Sequence, residues 1–263
     1  MISASGLTRR FGSFVAVDDI SFEVARGEIF AFLGPNGAGK TTTIRMLTTL
    51  LRPSSGHIEL DGLDVVRHPT AARRRFGIVF QDPSLDIELT ARENMVIHAV
   101  LYHVPADQRA TRIEQLLKMF DLWDRRDELV KRYSGGMRRR LEIARCLLHT
   151  PAVIFLDEPT LGLDPQTRNQ LWTHVRALNE QEHVTVFLTT HYMDEAERVA
   201  GRIAIIDRGR IVAHGSPQEL KAQTSSDSLE QAYLQLTGTR IREEEGGAGM
   251  DRMRQFMRGG AAR

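Results

Sequence analysis

Residues 34–42, "GPNGAGKTT", place a lysine and two threonines directly behind a glycine-rich turn. The spacing fits G-x-x-x-x-G-K-[ST], a pattern whose glycines let backbone N–H groups face inward around phosphate oxygens. Gly34, Pro35, Asn36, Gly37, Ala38 and Gly39 would form that cradle, with Lys40 balancing the outer phosphates and Thr41 and Thr42 opening the helix behind it. The Thr41 hydroxyl is a ligand of the kind Mg2+ takes. A second motif, "AVIFLDEPT", ends an apolar run on Asp157 and Glu158. Asp157 is suited to hold the Mg2+ shell, and Glu158 to polarise a water attacking the terminal phosphate. Together the motifs predict that their two strands lie side by side in one sheet. A third stretch, "RYSGGMRRRLEIARCLL" at 132–148, feeds a Ser-Gly-Gly step into a basic helix and reads as another phosphate-binding helix N-terminus. One bound nucleotide needs only one such loop, so the second calls for an explanation.

The elements that must position these groups are legible in the pattern. "IFAFL" before the phosphate loop, "AVIFL" at 152–156 and "VTVFL" at 184–188 are continuous, β-branched and unalternating. Such runs are parallel strands buried on both faces. The first part of the chain alternates instead, and "GHIELDGLDV" at 56–65 predicts a hairpin around Asp61-Gly62. A helix over 90–103 opens on a capping box of Thr90 and Glu93, and one over 106–120 carries Ile113, Leu116, Leu117 and Phe120 on one stripe. In the basic helix behind Ser134, Met137, Leu141, Ala144 and Leu148 make the apolar stripe, which leaves Arg138, Arg139 and Glu142 towards water. Residues 84–149 thus form a helical block inserted between strands. A hairpin turning near Gly209 and two short helices, the second ending at Gly238, complete the domain, and no internal repeat is found.

Composition narrows the class. Of 263 residues, 41% are hydrophobic and 26% charged, ordinary values for a globular chain, and the formal net charge is +1. That balance disfavours nucleic acid, which calls for a concentrated basic face. One cysteine, Cys146, precludes an internal disulfide, suits a reducing compartment, and reads as a small buried hydrophobe on its helix. No apolar run approaches the ~20 residues of a membrane span, and "MISASGLTRR" lacks a leader's apolar centre, so the chain is expected to be soluble and cytoplasmic. Histidines 57, 68, 98, 103, 149, 174, 183 and 214 show no metal-ligand spacing. Residues 239–263 read as a charged, glycine-rich tail, mobile or holding a short docking helix around Met250, Met253, Phe256 and Met257.

From about residue 2 to 220 the chain resembles the nucleotide-binding subunit of ATP-binding-cassette (ABC) transporters. The resemblance rests on the phosphate loop, "VIFLDE", "FQD" at 80–82, "YSGGM" at 133–137, "GLD" at 162–164 and "TTH" at 189–191, in that family's order. It implies a P-loop NTPase of α/β class over residues 1–238, with a mostly parallel core sheet, an N-terminal antiparallel β-subdomain and an inserted helical signature subdomain. It also implies two subunits closed head to tail over two Mg-ATP, each signature capping the other's γ-phosphate, which gives the second phosphate element its purpose. By position, Phe11 is expected to stack on adenine, although a plain core phenylalanine fits "RRFG" too, and Val17 to line the same pocket. Gln81 would join Mg2+ to the helical subdomain, and Ser134, Gly135 and Gly136 would meet the partner's nucleotide. Asp164 would communicate across the interface, and His191 would contact the γ-phosphate. The family's signature commonly carries leucine and glutamine where this chain has Tyr133 and Met137.

The segment "QDPSLDIELTARENMVIHAVLY" together with the signature is similar to an exporter branch that includes daunorubicin-type resistance ATPases and lipo-oligosaccharide exporters. The resemblance therefore implies an ATPase paired with a second such subunit and with membrane permease subunits, peripheral on the inner face of the membrane and exporting a drug, lipid or glycolipid. Soluble ABC-type ATPases acting on translation or DNA are the competing class. A single cassette, and only about a hundred residues between phosphate loop and signature, disfavour both. A silent regulatory subunit is disfavoured by the presence of Lys40, Asp157, Glu158 and His191.

Overall fold

A computed structural model describes residues 1–238; the tail expectation for 239–263 lies outside the described residues. The chain begins with two long strands, β1 (Ile2–Phe11) and β2 (Phe14–Val24), and continues into β3 (Ile29–Leu33) and helix α1 (Lys40–Leu47). Next come β4 (Ser55–Leu60), β5 (Leu63–Asp64), the short α2 (Pro69–Arg73) and β6 (Phe76–Val79). Three helices follow, α3 (Ala91–Leu101), α4 (Ala106–Met119) and α5 (Gly135–Cys146), with two 3-10 turns before α5. The rest alternates: β7 (Val153–Asp157), α6 (Pro165–Glu182), β8 (Thr185–Thr190), α7 (Met193–Val199), β9 (Arg202–Asp207) and β10 (Arg210–Gly215), then α8 (Pro217–Gln223) and α9 (Leu229–Thr237).

Strands form two sheets. One is antiparallel in the order β2-β1-β4-β5; the other runs β10-β9-β3-β8-β7-β6, parallel except for the antiparallel edge strand β10. The order corrects one expectation: β3 and β7 are not neighbours, because β8 lies between them, pairing with both in parallel register. All three strands still end at one edge of the sheet, so the loops that follow Leu33, Asp157 and Thr190 meet there.

Each central strand is buried on both faces, which is why its sequence is apolar without alternation. Phe30, Phe32, Phe155 and Phe187 point to the side of the antiparallel sheet and α1, while Ala31, Leu33, Leu156 and Leu188 point to the helices. Ring centroids of Phe22, Phe30, Phe32 and Phe187 lie 5.5–5.9 Å apart, so aromatic packing joins the two sheets. Turn chemistry also follows the residues: Asp61-Gly62 and Arg208-Gly209 both take positive φ at both positions, as tight two-residue hairpins require.

The inserted helices sit between β6 and β7. Thr90 and Glu93 form the reciprocal capping box that starts α3. In α5 the apolar stripe is buried as expected, and Cys146 with it, burial pushing that thiol up to about 12. Arg139 and Glu142, however, do not face water. Both are buried and paired at 2.9 Å, because the irregular segment after Gln81 crosses that side of the helix and needs partners for its backbone.

Candidate functional site

The phosphate loop folds between the end of β3 and the start of α1. Gly37 and Gly39 take φ of 81° and 109°, a region open to glycine at no steric cost. Gly34 is required for space instead, since a Cβ there would stand 2.2 Å from the Ile206 carbonyl oxygen. The turn at Gly209 supports the loop from the side, its N–H donating to Ala38 O at 2.9 Å. Asn36 and Gly37 are exposed at the tip.

Lys40 is the first residue of α1 and is almost wholly buried. Its ammonium donates to Gly34 O at 2.7 Å and Pro35 O at 3.1 Å, and pairs with Glu158 Oε1 at 3.0 Å. Burial lowers its pKa, against the pull of Glu158 and Asp157. One residue on, the Thr41 hydroxyl donates to Asp157 Oδ1 at 3.3 Å, although their motifs are far apart in sequence. Asp157 ends β7 fully inside the molecule, and burial raises its pKa.

Thr189, on neighbouring β8, locks this corner. Its hydroxyl donates to Asp157 Oδ1 at 2.6 Å and accepts from the Glu158 N–H at 3.0 Å. Glu158 sits at φ 47°, an unfavourable conformation for a residue with a Cβ, held by that bond. Its carboxylate is thereby swung between two partners, the Lys40 ammonium on Oε1 and His191 Nδ1 at 2.9 Å from Oε2. Burial alone would raise the Glu158 carboxyl; His191 and Lys40 outweigh it and bring it down to about 2.

Beneath lies a node the sequence reading missed. Glu195 of α7 is completely buried, accepting from Thr160 Oγ1 at 2.9 Å and Thr190 Oγ1 at 3.2 Å and pairing with Arg168 of α6 at 3.1 Å. It ties the segment after Glu158 to the one before His191. The only sequence signal was a glutamate on an apolar helical face in "HYMDEAERVA".

The remaining expected residues are placed as follows. Phe11 ends β1, half-buried, with the Arg9 guanidinium 4.5 Å from its ring centroid. Val17 is fully buried, backing the phosphate loop at Gly39 and presenting no surface of its own. Gln81 is exposed on the loop after β6, and its carboxamide makes no hydrogen bond among the described residues. Ser134 caps α5, its hydroxyl accepting from Met137 N at 3.3 Å, and is exposed with Gly135. Gly136 is buried against Thr167, the residue whose N–H and hydroxyl donate to Asp164, the exposed N-cap of α6. Among the described residues no hydrogen bond or ion pair joins Ser134–Met137 to the phosphate loop of the same chain. Tyr133 and Met137 share a neighbour: Tyr133 Oη donates to Arg125 O at 2.8 Å, and an Arg125 N–H lies 3.4 Å from Met137 Sδ.

Comparison with known proteins shows the family. The family model described as "ABC transporter" matches residues 17–161. Daunorubicin resistance ATP-binding protein DrrA3 of Streptomyces coeruleorubidus is 47% identical over 229 residues, 87% of this chain and 72% of that protein. Nod factor export ATP-binding protein I of Ralstonia nicotianae is 44% identical over 84% of this chain and 68% of that protein. Among solved structures, an ATP-binding subunit of an ABC transporter superposes with a TM-score of 0.80 at 31% identity, covering 90% of this chain and 99% of that one. A dimeric ATP-binding cassette in a post-hydrolysis state with ADP and Pi reaches 0.73 at 27%, covering 82% and 98%. The chain belongs to the ABC transporter family and is one of its ATP-hydrolysing, ATP-binding cassettes.

Proposed function

We propose that the chain powers export as the ATP-hydrolysing subunit of a transporter whose membrane subunits are separate chains. The observation that carries the reading is the Lys40–Glu158–His191 line of contacts beside the phosphate loop. At a carboxyl pKa of about 2 Glu158 is a weak base, because its two oxygens are both occupied. ATP phosphates entering the loop compete for the Lys40 ammonium. As Lys40 turns to them, Oε1 is released and the carboxyl becomes more basic, so its activation is coupled to substrate binding. Water then attacks the γ-phosphorus, its proton goes to Glu158, and the bond to the β-phosphate oxygen breaks to release ADP. His191, anchored on Oε2, keeps the carboxylate aimed and stands ready for a γ-phosphate oxygen.

The donor set fits Mg2+: a Thr41 hydroxyl and an Asp157 carboxylate 3.3 Å apart are hard oxygen ligands, with the Gln81 carboxamide free nearby in the loop after β6. Bound there, Mg2+ supplies charge neutralisation on the phosphates. The buried Asp157, whose pKa is raised by desolvation, gains a partner for its charged form.

Ser134, Gly135 and Gly136 serve the ATP of a second copy or a similar subunit. The exposure of Ser134 and Gly135, and the lack among the described residues of any bond from this step to its own phosphate loop, support this reading, as does the dimeric neighbour. Val96, Ile97, Val100 and Leu101 on α3 are 41–67% exposed and form an apolar face continuous with the glutamine loop through Asn94, which holds Asp86 N and O. That face suits a cytoplasmic helix of the membrane subunits and would keep the cassette at the inner membrane surface. Among the described residues no helix is long and apolar enough to cross a membrane. The relatives named for daunorubicin resistance and Nod factor export favour export of an amphipathic drug, lipid or glycolipid.

Glu158→Gln tests the catalytic assignment. It should leave ATP binding in place and lower kcat by roughly 10²–10⁴-fold. Near-normal hydrolysis in that variant would remove Glu158 from the proposed role.

A further inference from the structure

The buried Arg139–Glu142 pair has no part in the chemistry above, and it does not join two elements of the core. It is directed instead at the loop that carries Gln81. Arg139 donates to Phe80 O at 2.6 Å and Gln81 O at 3.0 Å, while Glu142 accepts from Ser84 N at 2.7 Å. One further turn along α5, Arg145 donates to Ser84 O at 2.9 Å and also reaches the Ser84 hydroxyl. Positions 139, 142 and 145 recur at helical spacing, so a single stripe of α5 holds three residues of an otherwise irregular segment. The pair itself is only 8% and 3% exposed, and the backbone groups it satisfies would otherwise lack partners.

We propose that Arg139, Glu142 and Arg145 are positioning residues that make the Gln81 loop move with α5. The signature step at Ser134 caps the same helix, about 18 Å of continuous hydrogen-bonded backbone. A contact made by Ser134 with the second subunit's nucleotide therefore displaces Gln81, the residue proposed above to serve the chain's own Mg-ATP. One α5 links the two ATP sites of the dimer without passing through the catalytic corner. The inference rests on the two-subunit reading given above. It adds to it a mechanical route through a two-ended rigid element, with a defined point at which the route can be cut.

Arg139→Met with Glu142→Leu cuts it while filling the same volume, a replacement that buried ion pairs commonly tolerate. Hydrogen exchange on the full chain reads the result, with Glu158→Gln holding the ATP-bound state. With the clamp intact, Mg-ATP should slow exchange at the amides around Ser134–Met137 and at Ser84 together. With the clamp cut, the signature response should remain and the Ser84 response should vanish. In the chain with Glu158 restored, the same double change should lower kcat about tenfold while KM and equilibrium ATP binding hold. Should the double variant melt early, Arg145→Met removes the partly exposed contact alone and must weaken the Ser84 response. An unchanged Ser84 response and unchanged kcat in these variants would overturn the link by itself. If Mg-ATP produced no dimer even with the clamp intact, the two-subunit reading would fail, and the link with it.

Discussion

Gly34 and Gly37 belong to one motif but answer to different physics, and a matched pair of substitutions separates them. At Gly34 an added methyl meets the Ile206 carbonyl oxygen at 2.2 Å, a backbone atom of a central strand that cannot step aside. Gly34→Ala should therefore cost about 1–3 kcal/mol in unfolding free energy and abolish ATP binding by pushing the loop off its strand. At Gly37 nothing lies within 4 Å, and only φ 81° resists. Gly37→Ala should cost about 1 kcal/mol and spare most of the binding. Urea titrations with a nucleotide-binding assay distinguish the two; equal losses would contradict this account of the loop. Residue types were the most legible part of this site. Lys40, Thr41, Asp157, Glu158 and His191 were all named from motifs, and the structure brings them into one corner. Thr189 and Glu195 were not, because their importance lies in what their neighbours on other strands and helices offer them.

Between elements, the helical block carries a titratable stack. His98 of α3, Tyr102 at its end and His149 after α5 lie ring on ring, with centroids 4.6 and 4.1 Å apart. Burial, with the nearby Arg145 and His149 charges adding to it, brings His98 down to about 4 from 6.5. The unfolded chain thus takes up a proton near pH 6.5 that the folded chain refuses until about pH 4, so this contribution to stability is lost as pH falls across that window. His98→Phe, which keeps an aromatic in the stack, should flatten the fall in urea midpoint between pH 7 and 5. An identical fall in both proteins would show that His98 is not its source. The three apolar strands and the helices α3, α4 and α5 were read from periodicity, but the longest described helix, α6, was not named, and which elements are neighbours was not legible. The run "VTVFL" looks like its two sister strands, and nothing local says that it lies between them. Arg139 and Glu142 were assigned to water because they sit off the apolar stripe; the segment they hold is irregular and leaves no periodic trace.

At the scale of the whole molecule, each half of the proposed reaction centre is displaced from the other. Lys40, Asp157, Glu158 and His191 converge at the ends of the parallel strands, while Ser134 stands exposed on the inserted block. The family and fold could be read from motif order alone, whereas the lack of contact between these halves required coordinates. The most direct test mixes two defective chains, Lys40→Ala and Ser134→Arg. Each forms dimers whose two sites are both incomplete, but a mixed dimer holds one site with an intact phosphate loop facing an intact signature. With random pairing, the mixture should recover about a quarter of the unmodified rate while either variant alone remains inactive. A mixture that forms dimers yet stays as inactive as its components would contradict a reaction centre shared between two chains.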